Sequence, residues 1–131
     1  MKKNILIFLT CLGFLLFLTG CKGSKQIQGT WKAQDSAATN VTITTSKDTI
    51  KIGKETYDYT QNVVGVKNSY RYYGLKINKK MYSLIIPEKK KDVALLLQPD
   101  SEDNYLLGSL VYAMNKKSQP DYKEYVNEYL N

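Results

Sequence analysis

The chain contains no histidine. That removes Ser-His-Asp and Cys-His nucleophilic catalysis, imidazole acid–base work and histidine-based metal sites. A Ser–Lys dyad or a carboxylate pair would remain as catalytic chemistry. Candidate serines fall either in strand-like stretches (Ser83, Ser109) or in turns (Ser101, Ser118), and none sits in a Gly-x-Ser-x-Gly elbow. No glycine-rich phosphate loop is present. Asp100, Glu102, Asp103 and Asn104 gather oxygen ligands on one turn, the chemistry that suits calcium. Their spacing is not that of a calcium loop, so they read as a solvated turn. The expectation is a protein that is no enzyme, with no metal and no cofactor.

The thiols carry a different chemistry. Lys2 and Lys3 precede an apolar run, Ile5 to Leu18, broken only by Thr10, Cys11 and Gly13. The run falls short of the roughly 20 apolar residues that span a bilayer, and its basic start fits an export signal. It ends in Leu18-Thr19-Gly20-Cys21, which resembles the lipobox of bacterial lipoproteins. The resemblance implies that the Cys21 sulfur receives a diacylglyceryl group before cleavage on its amino side. Residues 1–20 are then a signal peptide, 21–26 a short lipidated tether, and 27–131 the folded domain. The expected location is the extracytoplasmic face of the cell membrane, with the membrane itself as a partner through lipid on Cys21. Two acyl chains anchor stably where one is marginal. With Cys11 removed and Cys21 consumed, the domain has no thiol left for a disulfide or a cysteine metal site, and core packing must stabilise it.

Removing Lys2 and Lys3 takes the formal net charge from +7 to +5. A basic domain beside an anionic surface is drawn toward it. The lysines are spread along the chain, which equally suits plain solubility. Arg71 is the only arginine, so recognition of nucleic acid by bidentate forks is not expected.

Short alternating segments dominate the remainder of the chain. Val41 and Ile43 alternate with Thr42 and Thr44; Ile50 and Ile52 flank Lys51; Tyr57 and Tyr59 alternate with Thr56, Asp58 and Thr60. Such period-two runs are half-buried strands. Turn signals separate them: Gly53-Lys54, Asn78-Lys79, Pro87 to Asp92, and Pro99 to Asn104. About eight strands at this spacing predict an all-β fold, a small antiparallel meander closing into a barrel.

The later strands are apolar on both parities. Val93, Leu95 and Leu97 share one face, while Ala94 and Leu96 share the other. Both faces must therefore be covered. Tyr122, Tyr125, Val126 and Tyr129 fall on one side of a predicted short C-terminal α-helix, capped by Ser118 with Pro120 in its first turn. That helix is the expected cover for the outer face of strands six to eight.

All eleven tyrosines lie at or after Tyr57. Tyrosine packs well in strands and keeps a polar tip, so the excess fits either barrel packing or a ligand wall. Gly29-Thr30-Trp31 resembles the Gly-x-Trp start of lipocalins, where the tryptophan plugs one barrel end. Further along, Tyr72-Tyr73-Gly74-Leu75-Lys76-Ile77, Gln98-Pro99-Asp100, Tyr112-Ala113-Met114-Asn115 and Pro120-x-Tyr122-x-x-Tyr125 resemble small lipoproteins of streptococcal-type bacteria. That family carries a lipocalin-like domain of unestablished function, and the likeness spans nearly the whole mature chain. It implies fold and location and offers no catalytic residue. Two functions remain open. One is a binding module for a small apolar or amphipathic ligand, lined by Trp31, Tyr57, Tyr59, Tyr72 and Tyr82. The other is an inhibitor or accessory subunit that recognises an envelope protein while its interior stays inert.

Overall fold

The computed structural model describes residues 22–130; the expected signal peptide and the lipidation site at Cys21 lie outside the described residues. The alternating runs form eight strands: β1 (Gly29–Gln34), β2 (Asn40–Thr45), β3 (Thr49–Ile52), β4 (Glu55–Lys67), β5 (Tyr70–Ile77), β6 (Lys80–Pro87), β7 (Val93–Ser101) and β8 (Asn104–Asn115). Each pairs antiparallel with the next, and β8 returns to β1 through Lys32↔Asn115, Ala33↔Met114 and Gln34↔Ala113. The result is a closed antiparallel barrel, as the strand spacing predicts.

Tight turns set the register. Asn78 and Lys79 take φ of 50° and 69°, and Asn68 and Ser69 take 56° and 70°. Left-handed pairs of this kind match the natural twist of two-residue hairpins. Gly53, at φ 62°, supplies the same conformation between β3 and β4. At the β7–β8 hairpin Gly108 pairs with Pro99, and a Cβ on Gly108 would lie 2.2 Å from the Gln98 carbonyl oxygen. Only glycine lets the two backbones approach this closely.

The meander gives the barrel two distinct ends. The turns after β2, β4 and β6 share one end with the entering N-terminal segment. The turns after β1, β3, β5 and β7 share the opposite, far end. Inside, Trp31, Ile43, Ile50, Leu75, Leu96 and Met114 are at most 1% exposed and form one continuous cluster. An eight-stranded barrel is just wide enough for side chains to fill, and this one is filled through its middle.

β7 divides its residues as the doubly apolar pattern requires. Ala94 and Leu96 join the interior. Val93, Leu95 and Leu97 face outward with Ile85, Leu110 and Ala113 into a second cluster, closed by Tyr122, Tyr125, Val126 and Tyr129. Those four belong to a C-terminal helical segment, an α turn (α1, Tyr122–Tyr125) followed by a π turn (Val126–Leu130). Its phenols also bond to the barrel backbone, Tyr122 Oη donating to the Leu110 carbonyl at 2.7 Å.

One local expectation is corrected. Ser118 does not cap the helix, which begins four residues later with Asp121 at its N-cap and no side-chain capping bond there. The Asn115 carboxamide oxygen accepts the Lys117 and Ser118 amides, at 2.8 and 3.0 Å, and holds that stretch in a turn. The Gln34 side chain of β1 accepts the Tyr122 amide in place of a local cap. The described residues before β1 pack on the barrel. The Gly23 amide donates to the Lys47 carbonyl, Ser24 and Gln61 exchange two hydrogen bonds, and a 3-10 turn (Lys25–Ile27) delivers Ile27 into the core. Burying Ile27 pulls the preceding residues onto the barrel.

Candidate functional site

At the far end the filling stops short and leaves a cup of about 230 Å³, open to solvent. Tyr57 from β4, Tyr82 from β6 and Tyr112 from β8 stand around it; Ile52, Ile77 and Leu96 give it an apolar base. All six pack as one group with the barrel interior. Asn78 and Lys80, from the hairpin at that end, supply polar groups at its edge. Burial pushes the Tyr112 hydroxyl above its ordinary value, and the charge of Asp35 and the neighbouring Tyr57 and Tyr82 push the same way. The cup thus offers phenol hydroxyls that donate or accept hydrogen bonds, aromatic edges, one amide and one cation.

The five residues expected from sequence to line a ligand site do not converge. Tyr57 and Tyr82 are in the cup. Trp31 is fully buried within the core, its indole N–H donating to the Ile27 carbonyl at 3.1 Å. The Lys116 ammonium covers its ring at 4.8 Å. This residue plugs the entry end instead of lining a ligand surface. Tyr59 also points inward but nearer the entry end, where its hydroxyl donates to the Ser46 carbonyl. Tyr72 lies on the outside, stacked on Tyr105 at 5.8 Å. Strand parity separates Tyr72 from Tyr73, which faces the core; the same alternation, extended from Leu75 and Ile77, is the signal that places Tyr72 outside.

Sequence alternation misses Tyr112 for a definite reason. Leu96 pairs with Tyr112 while Leu97 pairs with Leu110, so Val111 is an extra residue in β8. A bulge of this kind reverses the facing of everything beyond it. Leu110 faces out and Tyr112 faces in, although they share parity. Nothing in the local pattern announces that insertion.

The tyrosines serve three separate ends. Tyr59 and Tyr73 fill the core; Tyr57, Tyr82 and Tyr112 form the cup; the other six lie on the outer face, where Tyr70, Tyr72, Tyr122, Tyr125 and Tyr129 pack with the second cluster. Among the described residues no group of three His, Cys, Asp or Glu side chains is placed to hold a metal ion. No described helix is long and apolar enough to cross a membrane.

Tyr59 gives the barrel a pH signature. Burial, assisted by the charge of Asp48, pushes its hydroxyl up from 10.0 to about 12. A group whose pKa is raised on folding stabilises the native state below its unfolded value and loses that contribution as pH rises through the folded one. Denaturant midpoints are therefore expected to hold steady up to about pH 10 and to fall between pH 10 and 12. Tyr59→Phe is expected to shallow that fall, and an unchanged alkaline slope in the variant would refute the assignment.

The fold and the cup define a small closed β-barrel with an aromatic mouth. The chain has no match among models of protein families, curated proteins or solved structures.

Proposed function

We propose that this chain is a non-enzymatic binding module, held by lipid on Cys21 at the extracytoplasmic face of the cell membrane, and that its far-end cup recognises a small amphipathic ligand. The observation that carries this reading is the convergence of Tyr57, Tyr82 and Tyr112, from three separate strands, on one solvent-open apolar floor. The cup opens at the end opposite the entering N-terminal segment, which in an anchored protein points it away from the bilayer. Its volume lies below the roughly 300–1,000 Å³ of drug-sized sites. It accordingly suits one ring or a short chain, with the remainder of the ligand outside. The filled barrel interior argues against deep enclosure of an apolar molecule. The resemblance to small lipoproteins of streptococcal-type bacteria agrees with this location and adds no ligand.

A second reading is an interaction module. A half-open cup of this size would also accept one anchoring side chain of an envelope protein, a common form of interface hot spot. The two are separated by native mass spectrometry of the mature domain purified without detergent, with an organic extract analysed beside it. A small-molecule adduct that is lost in Tyr112→Ala and Tyr82→Ala, and kept in Tyr72→Phe, is the expected result. Each alanine is expected to weaken binding roughly tenfold, since an aromatic contact contributes about 1 kcal/mol beyond its buried area. An adduct indifferent to both alanines would sink the cup as the site. A partner captured from envelope extracts and released by the same alanines would favour the interaction reading.

A further inference from the structure

The entry end holds a second cavity, of about 340 Å³, whose wall includes Arg71, Tyr73, Glu88, Lys91, Asp92 and Lys116. Its two carboxylates are already engaged. Glu88 pairs with Arg71 at 3.3 Å, and Asp92 pairs with Lys117 at 3.3 Å. Lys91 and Lys116 have no carboxylate partner among the described residues, Lys116 resting instead over the Trp31 ring. The cavity wall therefore carries three cations against two carboxylates, with Lys91 and Lys116 outside any ion pair among the described residues.

Tyr73 supplies an independent sign of a ligand. It is 1% exposed, yet its hydroxyl is the one buried side-chain polar atom without a hydrogen-bond partner among the described residues. A buried orphan donor is costly and is retained where something completes it. Tyr73 lines the same cavity as Arg71 and Glu88, and the charges of both act on its hydroxyl. Desolvation raises its pKa, so it remains protonated and able to donate.

We propose that this cavity binds a phosphate group, with Tyr73 Oη and the Lys91 and Lys116 ammonium groups as its donors, and that the phosphate is presented by an anionic lipid headgroup. The chemistry is that of a tetrahedral anion with several acceptor oxygens, matched by one neutral and two cationic donors. The headgroup source follows from the way the chain enters. Residues 22–27 are bonded across this same end, so a lipid on Cys21 would lie one residue from the docked segment. A single residue spans only about 3.5 Å, which would press the cavity against the headgroup layer. The source thus rests on the anchored reading above, whereas phosphate binding itself does not.

The test uses residues 21–131 with Cys21→Ser, which keeps every element of the barrel and removes the lipid. Inorganic phosphate is titrated while backbone amide resonances are followed; shifts confined to the neighbourhood of Arg71, Tyr73, Lys91 and Lys116 are expected. Lys91→Gln with Lys116→Gln is expected to weaken binding at least tenfold, and Tyr73→Phe by roughly tenfold. The phenylalanine variant should keep or raise the apo melting temperature, because it deletes an orphan hydroxyl. A purely structural role for that hydroxyl would lower the melting temperature and leave phosphate binding alone. In a second arm, vesicles of phosphatidylglycerol and of phosphatidylcholine are sedimented with the protein. Retention on phosphatidylglycerol alone, lost in the Lys91/Lys116 variant and kept in Lys51→Gln with Lys54→Gln, supports the lipid source. Phosphate binding without that retention would overturn the lipid source and leave a free phosphate as ligand. No localised phosphate shifts, or retention that falls equally with either lysine pair, would overturn the site. Absence of lipid mass on Cys21 in the protein isolated from its cell would count against the anchor separately.

Discussion

Trp31→Ala is expected to destabilise the barrel by about 3–5 kcal/mol, the cost of truncating a fully buried large aromatic. The indole is completely covered by the core, so its removal leaves a cavity that stiff neighbouring strands cannot collapse around. Two further losses accompany the cavity. The Ile27 carbonyl loses its indole donor, and the Lys116 ammonium loses its aromatic face. Small domains are stable by only about 5–15 kcal/mol, and none of the described residues is a cysteine that could form a disulfide to offset the loss. Trp31→Phe keeps most of the packing and is expected to cost clearly less. Urea unfolding followed by circular dichroism reads both variants, since Trp31 is the only tryptophan and its fluorescence disappears with it. A loss under about 1 kcal/mol for the alanine would mean that the entry end is not plugged by this residue.

Truncation after Ser118 is expected to make the barrel self-associate. The deletion removes Tyr122, Tyr125, Val126 and Tyr129 and uncovers Ile85, Val93, Leu95, Leu97 and Leu110, all less than a tenth exposed in the intact chain. Each large apolar side chain returned to water costs about 1.5–3 kcal/mol. The sum over this face is comparable to the whole stability of a small domain, and an exposed apolar strip of this kind drives association. Light scattering and binding of a hydrophobic dye measure the outcome. Tyr125→Ala is the milder probe, because it removes one buried ring and its bond to the Met114 carbonyl while leaving the helical segment in place. It is expected to cost about 3 kcal/mol without aggregation. A truncated chain that associated no more than the parent and was as stable would show that the segment is not the cover of this face.

Tyr72 and Tyr112 mark how far the site is legible in the sequence. Tyr57 and Tyr82 fall where alternation puts them, because their strands run undisturbed to the barrel mouth. Tyr72 groups with Tyr73 only by proximity in the chain, whereas adjacent strand residues must face opposite ways. Tyr112 needs the Val111 bulge, a defect that the partner strand imposes and that local sequence does not encode. The entry-end cavity is harder still. It joins Arg71 and Tyr73 of β5 to Lys91 and Asp92 of the β6–β7 turn and Lys116 beyond β8, positions that no sequence window brings together.

What the sequence determined by itself was the plan: eight short strands, tight turns where Gly53 and Asn78-Lys79 demand left-handed backbone, and an outer apolar face on β7 that needs a cover. These arise from hydrophobic period and turn stereochemistry, both of which act over a few residues. Tertiary structure alone decided that the interior is filled through its middle, that an aromatic cup opens at the far end, and that residues 22–27 are bound to the barrel. Each of those depends on how side-chain volumes from distant strands sum around a closed ring. Closure couples β1 to β8 across the length of the domain, and that sum is fixed only once the ring has closed.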